Sequence, residues 1–145
     1  MAIDGEYEPS PWDWVANQVE VYERTGGEEG GTHEGQPVVI LTTKGRRSGR
    51  IRKSALMRVE HDGRYAVVAS MGGAPNHPVW YLNLLADPNV TLQDGARVMT
   101  MRARTANAAE RREWWGYATA SWPAYDEYQT RTEREIPVVL FDPVS

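Results

Sequence analysis

A chain of 145 residues, 41 % hydrophobic and 25 % charged, is long enough for one domain with a real core and has an ordinary globular composition. Its net charge of −4 argues against a general nucleic-acid binder, and its lack of cysteine excludes disulfides, thiolate metal sites and a Cys nucleophile. No apolar run approaches the roughly 18 residues of a membrane span, and the acidic start, Met1 to Glu8, has no apolar signal-peptide core, so the expected location is the cytoplasm.

Residues 1–9 are expected to form a flexible tail, and residues 10–145 a single domain. Ser10 followed by Pro11 suits a helix start, and Trp14, Val15, Val19 and Tyr22 recur at helical spacing, so a helix is predicted over 11–25, stopping at Gly26. Trp12 and Trp14 are expected to dock on the protein itself, with a partner or a membrane surface as the alternatives. The stretch from Glu23 to Gln36 holds five Gly and four Glu and reads as a linker or a pocket rim. Strands are predicted at 37–43 and 51–60, then a tight turn at His61-Asp62-Gly63, then a strand from Arg64 to Ser70. A Gly-Gly loop, Met71 to His77, precedes a short helix from Val79 to Ala86, bounded by Pro78 and Pro88. A hairpin turns at Asp94-Gly95, and Asn107 with Glu110 forms a capping pair for a helix over 108–120. Pro123 opens a short helical turn carrying Tyr125 and Tyr128, and a strand at 136–141 is apolar on both faces. About six antiparallel strands with three or four helices point to a mainly β fold, a small barrel.

The charge is unevenly placed. Lys44 to Lys53 carries six of the sixteen Lys and Arg residues and no acid, so the remaining residues sum to −10. A basic, Gly-containing hairpin tip on an acidic chain reads as an anion site, with Arg46, Arg47 and Arg52 able to fork onto phosphate or carboxylate oxygens. The plainer alternative is a solvated turn with charged edges. Six Trp and seven Tyr stand against one Phe, a bias that suits half-buried pocket walls. No phosphate-binding loop, dinucleotide fingerprint or nucleophile elbow is present, and His33, His61 and His77 lack metal-ligand spacing. A basic tip beside flat aromatic walls suits a phosphorylated ring cofactor that carries the chemistry. The bland alternatives are that Trp80 and Trp114 are core residues and that Tyr125 and Tyr128 cap the barrel.

These residues resemble a known family. Leu41-Thr42-Thr43-Lys44-Gly45-Arg46-Arg47-Ser48-Gly49 is similar to a signature of the deazaflavin-dependent nitroreductases of actinobacteria. Ala69 to Pro75, Pro78 to Leu84 with Ala86-Asp87-Pro88, Trp122 to Gln129 and Ile136 to Val139 match further segments of it in order and spacing. The resemblance runs from about Trp14 to the end. It implies a split β-barrel, coenzyme F420 (an 8-hydroxy-5-deazaflavin) as cofactor, and reduction of quinones or nitroaromatic and nitroimidazole acceptors. By position, Arg47 and Arg52 hold the coenzyme's phosphate and tail carboxylates, with Lys44, Arg46 and Ser48 beside them. Ser70, Met71, Gly72 and Gly73 lie along the ring, and Trp80 beside it. Ser70, Trp122, Tyr125 and Tyr128 face the acceptor. The partner implied is a small molecule such as a quinone, with possible peripheral membrane contact through the first helix, for a monomer or homodimer. The chain departs from the family at Trp122, where the nitroimidazole-activating member has Tyr, at Met71, where some members have a basic residue, and at Ala55, where Pro is usual. Two other readings stay open: a coenzyme carrier without turnover, and a flavin mononucleotide oxidoreductase on the same barrel.

Overall fold

A computed structural model describes Ile3 and residues 5–144. The elements run α1 (Asp13–Thr25), β1 (Thr32–His33), β2 (Gln36–Lys44), β3 (Ile51–Met57), β4 (Val59–His61), β5 (Arg64–Val68), a 3₁₀ turn at Met71–Gly73, α2 (Val79–Ala86), β6 (Asn89–Asp94), β7 (Arg97–Thr105), α3 (Ala108–Ser121), α4 (Ala124–Thr130) and β8 (Val138–Pro143). One antiparallel sheet runs β3-β2-β6-β7-β8-β5-β4, with β1 set against the start of β2. Its curl gives the split β-barrel.

Alternation along the strands sorts the side chains into two layers. Val39 and Leu41 of β2, Tyr65 and Val67 of β5, and Val139 and Phe141 of β8 fill the barrel with Tyr81 and Leu84 from α2. The opposite faces of β5 and β8 (Ala66, Val68, Val138 and Leu140) pack against Trp114 and Ala118 of α3 and Tyr125 of α4. Val38 and Ile40 of β2 receive Val19 and Tyr22 of α1. β8 is therefore buried on both faces, as its apolar run predicts.

Among the described residues eight strands form where about six are expected, the added ones being the short β1 and the separate β4. The strand expected to reach Ser70 ends at Val68, and further boundaries differ from the sequence reading for reasons the contacts show. The cap of α1 is Trp12, not Ser10, because the Ser10 hydroxyl accepts the Trp12 N–H at 3.2 Å and closes a turn before the helix. The predicted strand 51–60 breaks at Arg58, whose N–H bonds to the Pro37 carbonyl at 2.9 Å, leaving β4 as a separate strand. The last strand begins at Val138 rather than Ile136, because side chains take both backbone groups of Ile136: its N–H bonds to Gln129 Oε1 and its carbonyl to Arg111 Nε. The segment read as a tail is partly engaged: Tyr7 pairs in parallel with Ile51 through Ile51 N–H to Glu6 O (2.8 Å) and Glu8 N–H to Ile51 O (2.9 Å). The capping box of Asn107 and Glu110 forms as its spacing predicts.

Candidate functional site

Between β2 and β3 the hairpin tip folds back through Gly45 N–H to Arg50 O (2.7 Å) and Arg50 N–H to Ser48 Oγ (3.1 Å). The tip is fastened to α2 by Asn83, only 2 % exposed, which accepts the Arg46 N–H at 3.1 Å and donates to Thr43 Oγ1 at 3.3 Å. The sequence reading missed Asn83. Its signal was a lone amide in the otherwise apolar run of α2, which had to find buried partners. Arg46, Arg47, Ser48 and Arg52 line a hollow of about 260 Å³ with Val79 and Asn83. Lys44 lines neither this hollow nor the larger cleft.

The larger cleft, about 560 Å³, has one wall on β3 from Arg52 to Met57. Facing it are Ser70, Met71 and Gly72, the start of α2 with Trp80, and Trp122, Tyr125 and Tyr128 around α4. Ser10, Val15, His33 and Glu34 add to the lining. The two spaces share Arg52, Val79 and Asn83, so they adjoin. Arg52 is held by Glu8 at 3.2 Å, and Lys53 by Glu23 at 2.6 Å. Trp80 meets Tyr81 edge-on at 6.3 Å.

The loop after β5 has unusual backbone. Ser70 is right-handed (φ −80°), and Met71 (45°), Gly72 (65°) and Gly73 (82°) are left-handed in succession. A right-handed residue followed by a left-handed one aims consecutive N–H groups to one side, forming an anion-binding nest. Among the described residues, none accepts a hydrogen bond from the N–H groups of Ser70, Met71 or Gly72. The carbonyls are turned the other way: Arg134 takes those of Ala69, Ser70 and Ala74, and Arg131 that of Gly72 at 3.4 Å. Gly73 does not line the cleft. A Cβ there would lie 2.5 Å from the Tyr128 carbonyl, so glycine lets the loop close onto α4. Arg134 was also missed. In sequence it is one of several charged residues in 131–135, and only the fold brings it under a loop 60 residues away.

On the opposite side the Trp122 indole donates to Tyr128 Oη at 3.2 Å, and the rings of Tyr125 and Tyr128 meet edge-on at 6.0 Å. Tyr125 is 5 % exposed and lines the cleft. Among the described residues its hydroxyl makes no hydrogen bond, and since no fully buried side-chain N or O atom there lacks a partner, the hydroxyl reaches the open space of the cleft. Burial, with a lesser contribution from Tyr128, pushes its pKa up to about 12, so it is a hydroxyl donor at neutral pH. Ser70 is 7 % exposed. The arrangement offers cations at one end, free backbone N–H groups and aromatic rings along the middle, and neutral hydroxyls opposite. That set fits an anionic tail joined to a flat, electron-rich ring system.

The model of the F420H(2)-dependent quinone reductase family matches residues 14–143. An F420H(2)-dependent quinone reductase of Mycobacterium tuberculosis is 32 % identical over 124 residues, 83 % of this chain and 83 % of that protein. The solved structure of an F420-H2 dependent reductase, FDR-A, is 47 % identical with a TM-score of 0.69, covering 77 % of this chain and all of that one. A solved domain-swapped dimer is 46 % identical with a TM-score of 0.71, covering 92 % of this chain and 100 % of that one. The match spans both the basic tip and the aromatic cleft, and the chain belongs to the F420H(2)-dependent quinone reductase family, oxidoreductases whose cofactor is coenzyme F420.

Proposed function

We propose that this protein passes hydride from reduced coenzyme F420 to a quinone held in the 560 Å³ cleft, with nitroaromatic compounds as further acceptors. The observation that carries the residue assignment is the continuity of the basic hollow with the aromatic cleft through Arg52, Val79 and Asn83. Arg46, Arg47, Ser48 and Arg52 bind the anionic tail, and Lys44 contributes charge from behind the tip. Ser70, Met71 and Gly72 lie against the ring with Trp80, while Gly73 sets the loop on α4. Bound there, the reduced coenzyme supplies the hydride. Tyr125, Tyr128 and Ser70 donate hydrogen bonds to the acceptor oxygen as it gains charge. Trp122 fixes the Tyr128 hydroxyl and screens the site from water. Among the described residues no helix is long and apolar enough to cross a membrane. Trp12 and Trp14, 64 % and 59 % exposed, support peripheral contact of a cytoplasmic protein with a membrane surface. The domain-swapped relative supports a homodimer.

The test is a titration with oxidised coenzyme F420 followed by Trp fluorescence, alongside F420H2 oxidation with a soluble naphthoquinone. Saturable quenching and quinone-dependent turnover are expected. R47A/R52A is expected to weaken binding roughly 100-fold or more, since two charge-assisted contacts are lost at about 1.5–3 kcal/mol each, with most of the loss at low salt. Unchanged affinity in that variant removes the tail site, and binding without turnover leaves a carrier.

A further inference from the structure

We infer that Arg134 is a positioning residue whose charge makes the nest at Ser70–Gly72 selective for an anionic ring edge, drawing the bound coenzyme into its anionic form. This rests on the ring-site reading above. The Arg134 guanidinium donates Nε to Ala74 O at 2.9 Å, Nη1 to Ala69 O at 3.1 Å and Nη2 to Ser70 O at 2.8 Å, and Nη1 lies 3.0 Å from His77 Nδ1. Three of these partners are backbone carbonyls, and the fourth is an imidazole whose pKa is held down by burial and by Arg134 itself. Among the described residues no carboxylate lies within ion-pair distance of Arg134. The other arginines that organise the fold are neutralised: Arg104 by Glu110 and Asp142, Arg58 by Asp94, Arg131 by Glu127. Arg134 is thus a partly desolvated and uncompensated cation, and such a charge acts strongly over short distances.

Its placement gives that charge a direction. A trans peptide turns its N–H opposite to its carbonyl. The Ala69 and Ser70 carbonyls face Arg134, so the N–H groups of Ser70 and Met71 face away from it, where these residues line the cleft. The same contacts hold the left-handed backbone of Met71, a conformation that costs a non-glycine residue about 1–3 kcal/mol. Gln129, on the helix that carries Tyr125 and Tyr128, donates to the Arg134 carbonyl at 2.8 Å and accepts the Ile136 N–H at 2.8 Å. One network therefore sets both the nest and the hydroxyl wall.

An 8-hydroxy-5-deazaflavin is a weak acid. When its O–H bond breaks and the proton leaves to water, the charge is conjugated through the ring to the pyrimidine carbonyl edge. N–H dipoles backed by a cation stabilise that anion over the neutral form and lower the ring's ionisation midpoint. The other ionisable groups around the loop are His77, Arg131 with Glu127, and Tyr125 and Tyr128 from α4. Arg52, Lys53, His33 and Glu34 also line the cleft.

The experiment records the absorbance of oxidised coenzyme F420 against pH, free and with saturating protein, for wild type, R134Q, R134K and H77Q. Wild type is expected to lower the midpoint by about one pH unit, a tenfold change in the proton equilibrium. R134Q, able to donate but uncharged, is expected to return it to the free value, R134K to keep most of the shift, and H77Q to keep it all. A wild-type midpoint at or above the free value overturns the inference, and this arm needs no variant to fold. A full shift in folded R134Q, even with weakened binding, reduces Arg134 to a structural strut. Loss of the shift in H77Q assigns the effect to the imidazole instead. Wild type that binds no coenzyme at all brings down the ring-site reading itself, a separate failure.

Discussion

Tyr125 shows what a single environment does to a side chain. Burial of the side chain holds the hydroxyl protonated, with a pKa of about 12, yet among the described residues it has no protein partner and its oxygen is not sealed off but opens on the cleft. A neutral donor with no partner in the protein adds little to stability and is free for a ligand. Tyr125→Phe is therefore expected to leave the melting temperature nearly unchanged while lowering quinone-dependent kcat about a hundredfold, the usual cost of losing one donor to a developing oxyanion. The sign of the pH dependence follows. Tyr125 donates only while protonated, so its contribution persists through neutral pH and is lost as pH rises through about 12. A rate versus pH profile in which kcat falls near pH 8 in wild type and not in Tyr125→Phe contradicts this.

At the scale of elements, the site is made by two joints. Asn83 ties α2 to the basic tip, and Gly73 lets the loop after β5 press onto α4. Gly73 combines a left-handed φ of 82° with a Tyr128 carbonyl that would lie 2.5 Å from an added Cβ. Gly73→Ala is expected to cost about 1–3 kcal/mol from backbone strain alone, and more from the displaced helix. In a chain of this size that lowers the melting temperature by roughly 5 °C or more. Coenzyme affinity should fall as well, because α4 carries one wall of the cleft. Equal stability and affinity in Gly73→Ala would show that the loop and α4 are not coupled. The Asn107 and Glu110 pair belongs to this scale too: Glu110 also grips Arg104, which holds its carboxyl down to about 2.

Over the whole molecule, free positive charge gathers at the hairpin tip. Among the described residues Lys44, Arg46, Arg47 and Arg50 form no ion pair, whereas Arg52 and Lys53 are tied to Glu8 and Glu23. The tip thus presents uncompensated positive charge on a chain of net −4, and it steers a polyanionic ligand to one end of the cleft. Val15, which follows the exposed Trp12 and Trp14, lines the same cleft, which makes the proposed membrane contact testable at these two indoles. Sedimentation with zwitterionic lipid vesicles is expected to carry wild type down and leave W12S/W14S in solution, with both giving light-scattering masses twice the 16.4 kDa of the chain. Equal partition of the two proteins rejects the membrane contact, and a monomeric mass rejects the dimer.

What the sequence determined by itself was local or compositional. The basic tip, the helix from Val79 to Ala86, the Asn107–Glu110 box and a twice-buried last strand are all set by neighbours a few residues apart, through periodicity, capping and charge. The family, the coenzyme and the split barrel were legible because several such segments recur in order. Tertiary structure alone decided which polar groups meet. Arg134 reaches carbonyls some 60 residues away, Asn83 finds Arg46 and Thr43, and Ile136 loses its ladder positions to Gln129 and Arg111. The physical reason is that a buried donor must find an acceptor wherever the fold puts one, and side-chain spacing along the chain carries no record of that place.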